Sequence, residues 1–196
     1  MTSSPHASPH TRAQPTYFTG QFLLALPAIG DPRFDHSIIL MISHDEDGAM
    51  GIAIGDPGDV TVGEVLEEMA LPAALPANPA VLVGGPVEPQ RGFVIHSRDW
   101  GGEGTIDVAG LFAVSASLDV LRAIAGGRGP RQWQLAMGYA GWSAGQLEGE
   151  MMGDAWHLTP SDPAILFDIA PQRRWAATMA RDGINPARIA PHGGTA

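Results

Sequence analysis

Short apolar runs separated by turn residues dominate most of the chain. Residues 22–26 are Phe-Leu-Leu-Ala-Leu and stop at Pro27, and an Ile-rich run over 37–43 follows a Gly-Asp-Pro turn. Runs of this length, bounded by Gly, Pro and Asp, predict β-strands. The polar segment 44–48 separates the second strand from another apolar run that ends at Ile54, which predicts a hairpin. Further strands are predicted at 81–83, 93–96, around 106, at 111–114 and at 133–137.

Helical periodicity is confined to a few segments. In 61–71, apolar residues recur at i, i+3, i+4 and i+7 opposite glutamates, and Thr61 with Glu64 forms the sequence of a capping box. Other helices are predicted at 117–125, after residue 143 and at 172–182. Because strands come in pairs and helices are scattered between them, without the strict alternation of a parallel sheet, the pattern predicts an α+β fold.

The first sixteen residues differ in composition from the rest. Residues 1–16 are rich in Pro, Ser and His, a composition that cannot offset the entropy cost of ordering. We therefore predict a disordered N-terminal tail at 1–16 and a single domain over 17–196, since a chain of 196 residues suits one domain better than two. The longest apolar stretch, 22–29, is far short of the roughly 20 residues of a membrane-spanning helix, and no export signal is evident. The sequence predicts a cytoplasmic protein without a membrane segment.

The charge balance is acidic. The chain has 21 acidic and 11 basic residues and a formal net charge of −10. Such a field repels phosphate backbones, so we do not expect direct nucleic-acid binding. The absence of cysteine excludes disulfides, thiolate nucleophiles and cysteine-based metal sites. The seven histidines have no metal-ligand spacing within a predicted element, and neither a dinucleotide nor a P-loop fingerprint is present. We expect no metal and no cofactor.

One short motif is typical of a catalytic serine. Residues 141–145 read Gly-Trp-Ser-Ala-Gly, which fits G-x-S-x-G and lies between a predicted strand and a predicted helix. Asp168 and His192 follow Ser143 in the acid and base order of the α/β-hydrolases, so one hypothesis is a serine hydrolase built from these three residues. The upstream hairpins do not suit that fold, which needs repeated strand–helix crossovers. In the alternative interpretation, Ser143 caps the following helix and Gln146 reaches back to complete a capping box.

Two glycine segments, Gly84-Gly85-Pro86 and Gly138 to Trp142, follow apolar strands. Glycine lacks a Cβ, so these segments either admit a ligand close to the backbone or form tight turns. The ligand hypothesis brings them together at one concave patch, with Trp142 as the apolar wall and Arg91 as the charge that orients an anionic ligand. The predicted ligand-binding residues are Gly84, Gly85, Pro86, Arg91, Gly138, Tyr139, Gly141 and Trp142.

Four separated blocks carry a resemblance to a known family. They are Gly48-Ala49-Met50-Gly51, Gly84-Gly85-Pro86-Val87, the segment 91–97, and the segment 138–142 with its continuation through 145–148. In this order they resemble the signature of the YqgE/AlgH family, and the resemblance extends from Gly20 to Pro191. It implies an α+β fold with a bifurcated β-sheet, part of which closes into a small barrel, surrounded by helices.

The resemblance implies no known reaction. The family is bacterial and largely uncharacterised, and the label of transcriptional regulator that some members carry suits an acidic chain poorly. The leading hypothesis is therefore a non-enzymatic regulatory module that binds a small molecule or a protein partner at the glycine segments. The chain departs from the family pattern where Gly55-Asp56-Pro57 replaces a usual Asn-Arg-Pro segment and where His36 replaces a common arginine. Both departures lower the local positive charge.

Overall fold

The structure, a computed structural model, describes residues 17–31, 34–72 and 75–185. The predicted tail and His192 lie outside these residues. The strands in the described part of the chain are β1 (Gln21–Ala25), β2 (Ile38–Asp45), β3 (Gly48–Ala53), β4 (Pro57–Thr61), β5 (Ala80–Val83), β6 (Val87–His96), β7 (Ile106–Val108), β8 (Phe112–Ser115), β9 (Trp133–Ser143) and β10 (Trp156–Pro160). The α-helices are α1 (Val62–Glu68), α2 (Leu118–Ala125), α3 (Gln146–Met152), α4 (Pro163–Phe167) and α5 (Pro171–Arg181).

The predicted α+β fold is confirmed, and several of its local features form as the sequence indicates. Strands β2 and β3 make the expected hairpin, with Asp45 opposite Gly48. Helix α1 begins with the predicted capping box, in which the backbone N–H of Thr61 donates to the Glu64 carboxylate at 2.7 Å and the Glu64 N–H donates to Thr61 Oγ1 at 3.4 Å. These contacts join residues three apart, so the local sequence specifies them.

The strands form one curled sheet that divides along β9. Its main path runs β10-β1-β2-β3-β9-β6-β8-β7, and every neighbouring pair in that path is antiparallel. Strand β3 pairs with β9 only over residues 140–143, whereas β5 pairs in parallel with residues 136–137 of β9. The two halves of one strand edge therefore have different partners, which makes the sheet bifurcate and curl into a half-barrel.

Strand β9 differs from its prediction in length. The apolar pattern predicts a strand over 133–137, but the strand continues through Ser143. Gly138 lies within it at a φ of 75°, so the strand bends there without ending. Beyond the bend, Ala140 and Trp142 are buried and alternate with more exposed neighbours, as strand geometry requires. The glycines of 138–143 interrupt the apolar pattern from which a strand is predicted. Pairing with β3 and β6 nevertheless keeps this segment extended.

Strand β1 and the first part of β2 are buried on both faces. Phe22 and Leu24 face one apolar cluster, which also contains residues of α4 and α5. Leu23 and Ala25 face a second cluster, which contains Trp142 and residues of α3. Because side chains alternate along a strand, a strand covered on both sides needs a continuous apolar run, and this accounts for the sequence 22–26.

Helix α5 is fixed to the sheet through buried polar contacts. The Arg174 side chain is 1% exposed, and its guanidinium donates to the backbone carbonyls of Ile54 at 2.6 Å and Ile169 at 3.0 Å. Burial lowers the pKa of Arg174 to about 10. The adjacent Trp175 donates its indole N–H to the Ala25 carbonyl at 3.0 Å. The Arg174 bonds satisfy the carbonyls of Ile54, directly after β3, and of Ile169, which explains why a cation is retained in the core.

The end of α5 is held by a second polar group. Asp182 lies 2.9 Å from His157 of β10, and it accepts a hydrogen bond of the same length from Arg181. Burial raises the pKa of Asp182, but hydrogen bonds from Arg181, Thr159 and His157 outweigh that effect and lower it to about 2. The carboxylate therefore links the last turn of α5 to the edge strand β10.

Candidate functional site

The two glycine segments meet at the point where the sheet divides. The backbone N–H of Gly84 donates to the Met137 carbonyl, and the Gly84 carbonyl accepts from Ala53, both at 2.8 Å. A Cβ atom on Gly84 would lie less than 3.0 Å from the carbonyl of Gly138, and one on Gly138 would lie equally close to the carbonyl of Gly85. Real Cβ atoms essentially never approach backbone so closely. The glycines therefore permit one backbone segment to cross another.

Gly85 has the tightest surroundings of this crossing. Its φ is 149°, and an added Cβ would lie within 3.0 Å of backbone atoms of Tyr139 and Ala140. The sequence analysis left two interpretations of these glycines open, ligand approach or separate tight turns. The space beside their Cα atoms is occupied by the protein's own backbone, and the two segments contact each other.

Arg91, the predicted orienting charge, makes its contacts elsewhere. Its guanidinium lies 3.0 Å from the Glu88 carboxylate and 5.1 Å from the centre of the Phe93 ring. Both members of the ion pair are about half exposed. Arg91 is not among the residues that line the two cavities beside Pro86.

Two cavities flank Pro86, the residue directly after the crossing. The first has a volume of about 640 Å³, and its lining includes Gly85 and Gly55. The second has a volume of about 350 Å³, and its lining includes Gly141 and Trp142. Phe34 and Pro86 belong to the walls of both. The structure thus brings Gly85, Pro86, Gly141 and Trp142 to two adjacent cavities, and Arg91 lines neither of them.

The second cavity is built around one carboxylate and two indoles. Glu150 of α3 accepts hydrogen bonds from the indole N–H of Trp142 at 3.0 Å and of Trp156 at 2.8 Å. The Gln146 amide donates to its other oxygen at 3.0 Å. Phe34 packs edge-on against Trp156, with ring centres 5.8 Å apart. The result is a rigid aromatic wall, because a carboxylate fixes both indole rings.

The first cavity has a different polar lining. Asp35, His36 and Asp56 line it, together with apolar residues of β3 and β5. His36 has a φ of 53°, and its ring lies 4.4 Å from that of Trp175. Both departures from the family pattern, at Gly55-Asp56 and at His36, fall in this cavity. Counting Asp31 and Glu150 of the second cavity, the described lining residues include four carboxylates and no arginine.

Ser143 does not cap a helix, so that prediction is wrong. It is the last residue of β9, and helix α3 has Gly145 at its N-cap position, with a φ of 73° and no side-chain cap. Only half of the predicted box forms, since the Ser143 backbone N–H donates to the Gln146 side chain at 3.1 Å. Asp168 lies 3.5 Å from the amide nitrogen of Gln132. The third residue of the hydrolase hypothesis lies outside the described chain, so the triad stays a hypothesis.

Two histidines that were not predicted as site residues are buried and have defined partners. His44 accepts the backbone N–H of Phe18 at Nδ1, at 3.2 Å, and its Nε2 lies 3.1 Å from Glu148. His96 is fully buried, and its Nε2 lies 3.0 Å from the hydroxyl of Ser115. These partners are between 19 and 104 positions away along the chain, so no sequence spacing pointed to them.

No three His, Asp or Glu side chains in the described part of the chain come together in a group that could bind a metal ion. No helix formed by the same residues is long and apolar enough to cross a bilayer.

Sequence comparison decides the family. The family model DUF179, described as AlgH-like, matches residues 22–187. The chain belongs to this AlgH-like family. A UPF0301 protein of Sphingopyxis alaskensis is 59% identical to the AlgH-like chain over 183 residues, which cover 93% of this chain and 98% of the relative. The UPF0301 protein AlgH of Pseudomonas aeruginosa is 42% identical over 188 residues, or 94% and 99% of the two chains. The resemblance inferred from the four sequence blocks is confirmed.

Solved structures agree with this assignment. The solution structure of Pseudomonas aeruginosa AlgH superimposes on this AlgH-like chain with a TM-score of 0.75 at 41% identity, and the match covers 95% of this chain and 100% of that one. An X-ray structure of a protein from Corynebacterium diphtheriae has a TM-score of 0.69 at 24% identity, with 88% and 90% covered. At that identity the second similarity concerns the fold alone.

Proposed function

We propose that this AlgH-like protein is a non-enzymatic regulatory module that binds a small molecule in the two cavities flanking Pro86. The observation that carries the proposal is the shared wall of Phe34 and Pro86, which joins cavities of about 640 and 350 Å³. Volumes of roughly 300 to 1,000 Å³ are usual for ligand sites. The backbone crossing at Gly85 fixes Pro86 in place, so the wall is largely preformed.

The lining favours a neutral or cationic ligand. Three aromatic side chains, Phe34, Trp142 and Trp156, offer apolar contact, and the described residues of the two linings include four carboxylates and no arginine. An anionic ligand, which the sequence analysis expected, would meet these carboxylates without Arg91 to offset them. A ligand with an apolar body and a hydrogen-bond donor or a positive charge matches the lining better.

Indole fluorescence provides the test, since Trp142 and Trp156 form one cavity wall. We expect spermidine, a cationic probe, to change this fluorescence and to raise the melting temperature, and citrate to do neither. Phe34→Ala should raise at least tenfold the spermidine concentration that gives half of the fluorescence change, because it removes the shared wall. The matched control is Leu118→Ala, which truncates a side chain 51% exposed at the start of α2. Equal responses in the two variants, or a citrate response alone, would contradict the proposal.

We further propose that residues 17–196 form one domain that works in the cytoplasm and does not bind DNA directly. The formal net charge of −10 supports the last point, since an acidic chain repels phosphate backbones. Sequence-specific DNA retention at nanomolar protein would contradict it. The serine hydrolase with Ser143 as nucleophile is tested separately by a fluorophosphonate probe, which should label the wild type and not Ser143→Ala if that alternative is correct.

A further inference from the structure

A chain of hydrogen bonds joins the Thr105 hydroxyl, at the wall of a cavity, to the buried imidazole of His96. His96 Nδ1 lies 2.8 Å from the Ser97 carbonyl, and His96 Nε2 lies 3.0 Å from Ser115 Oγ. Ser115 Oγ in turn lies 2.8 Å from Thr105 Oγ1, which accepts the backbone N–H of Gly102 at 3.1 Å. The three side chains come from the ends of β6 and β8 and from the loop before β7.

The two ends of this chain fix the direction of every bond. A carbonyl oxygen can only accept, so His96 carries a proton on Nδ1, and in the neutral imidazole Nε2 is then the acceptor. Ser115 has one proton and must donate it to Nε2, which leaves Thr105 to donate to Ser115. The result is an ordered path from the Thr105 hydroxyl through Ser115 to a neutral imidazole. A hydroxyl, a base and a group that orients the base are the parts of an activated nucleophile.

We propose that Thr105 is a nucleophilic hydroxyl that accepts one acyl group per chain from an activated acyl ester. Ser115, which directly contacts the base, is 1% exposed and cannot be reached by a substrate. Thr105 is half-buried and lines an open cavity of about 450 Å³ with Trp100, Gly101 and Gly102. The accessible end of the path is therefore threonine. This single acylation goes beyond the binding function proposed above and does not depend on it.

The step balances within the protein and the ester. Thr105 Oγ1 attacks the acyl carbonyl carbon, a new ester bond forms, and the bond to the leaving alkoxide or phenolate breaks. The Thr105 proton passes to Ser115 Oγ as the Ser115 proton passes to His96 Nε2. The products are acyl-Thr105, the released alkoxide or phenolate, and an imidazolium that returns its proton to solvent.

The surroundings of His96 suit the role of base. Burial lowers its pKa, and this effect outweighs the opposing contributions of the Ser97 carbonyl and of Asp99. The imidazole is therefore neutral at pH 7 and able to take a proton. The Trp100 ring packs edge-on against it at 5.5 Å. Asp99 itself lies 3.4 Å from Arg131, and Arg98 at the cavity wall lies 2.7 Å from Asp107.

The experiment uses p-nitrophenyl acetate as the acyl probe and the full chain. We expect one equivalent of nitrophenolate, and mass spectrometry should locate one acetyl group on Thr105. Thr105→Val should abolish this burst, and the conservative Thr105→Ser should retain it. Ser115→Ala should slow it about 100-fold, the usual contribution of a positioned base, because the path to His96 is broken.

The pH profile separates this path from a purely structural network. Acylation through His96 should rise with pH only until the imidazole is neutral and should be level from pH 7 upward. An unassisted hydroxyl would instead react in proportion to hydroxide. Slow, scattered acetylation of many hydroxyls would overturn the proposal, as would acetylation at Ser143, which would support the hydrolase alternative instead. If Ser115→Ala does not fold, two measurements still test the proposal. They are the loss of the burst in Thr105→Val and the pH profile of the wild type.

Discussion

Replacing Gly85 by alanine tests the backbone crossing that divides the sheet. The structure assigns two separate costs to this change. The first is conformational, because φ at Gly85 is 149°, where side chains are rarely found. The second is steric, because the new Cβ would lie within 3.0 Å of backbone atoms of Tyr139 and Ala140. Backbone in a central strand cannot rotate away as a flexible side chain would, so the strands must separate.

Two other glycines isolate these costs. Gly145 has a φ of 73° but no atom within 4 Å of an added Cβ, so Gly145→Ala measures the conformational cost alone, about 1 to 2 kcal/mol. Gly149 lies in α3, has open space and has no unusual φ, so Gly149→Ala should stabilise the protein by about 0.5 to 1 kcal/mol. Overpacking of a rigid site adds about 1 to 3 kcal/mol. Gly85→Ala should therefore cost about 2 to 5 kcal/mol, with a midpoint near 3.5 kcal/mol.

Urea and thermal unfolding measure all three variants under the same conditions. In a domain of this size, 1 kcal/mol corresponds to a shift of about 2 to 4 °C in the melting temperature, so Gly85→Ala should melt about 10 °C lower than the wild type. Gly145→Ala should lose only a few degrees. If Gly85→Ala and Gly145→Ala lose the same stability, backbone does not occupy the space beside Gly85. The backbone crossing would then not require glycine at this position.

Three further predictions concern single side chains. Ser143→Ala should change the free energy of unfolding by less than about 0.5 kcal/mol, since the serine hydroxyl caps no helix, and a loss near 1 kcal/mol would restore the capping interpretation. Arg174→Met should cost about 2 to 4 kcal/mol in urea unfolding, because it leaves the Ile54 and Ile169 carbonyls without donors; a neutral effect would contradict this. Asp182 has a lowered pKa of about 2, so its contribution is present above its unfolded pKa near 4 and is lost as the pH falls toward 2. Asp182→Asn should remove that part of the acid-induced decrease in melting temperature, and an unchanged decrease would refute the assignment.

The sequence by itself determined the features that depend on near neighbours. The capping box of α1 joins Thr61 and Glu64, and a spacing of three residues is visible in any helix pattern. The continuous apolar run 22–26 predicted a strand, and its burial on both faces follows from that composition. Four ordered blocks were enough to predict the family and, through it, the bifurcated sheet. A periodic or contiguous pattern carries this information without any knowledge of distant segments.

The tertiary structure alone decided where the two glycine segments cross and which residues lie beside each other there. Gly84 and Gly138 look like turn residues in the sequence, yet each is glycine because the other's strand passes against it. His96, Thr105 and Ser115 belong to separate elements, and only the pairing of β8 with both β6 and β7 brings them into one hydrogen-bonded chain. Contacts between distant segments depend on how strands pair and sheets curl, and a single sequence records the residues of such contacts but not their pairing.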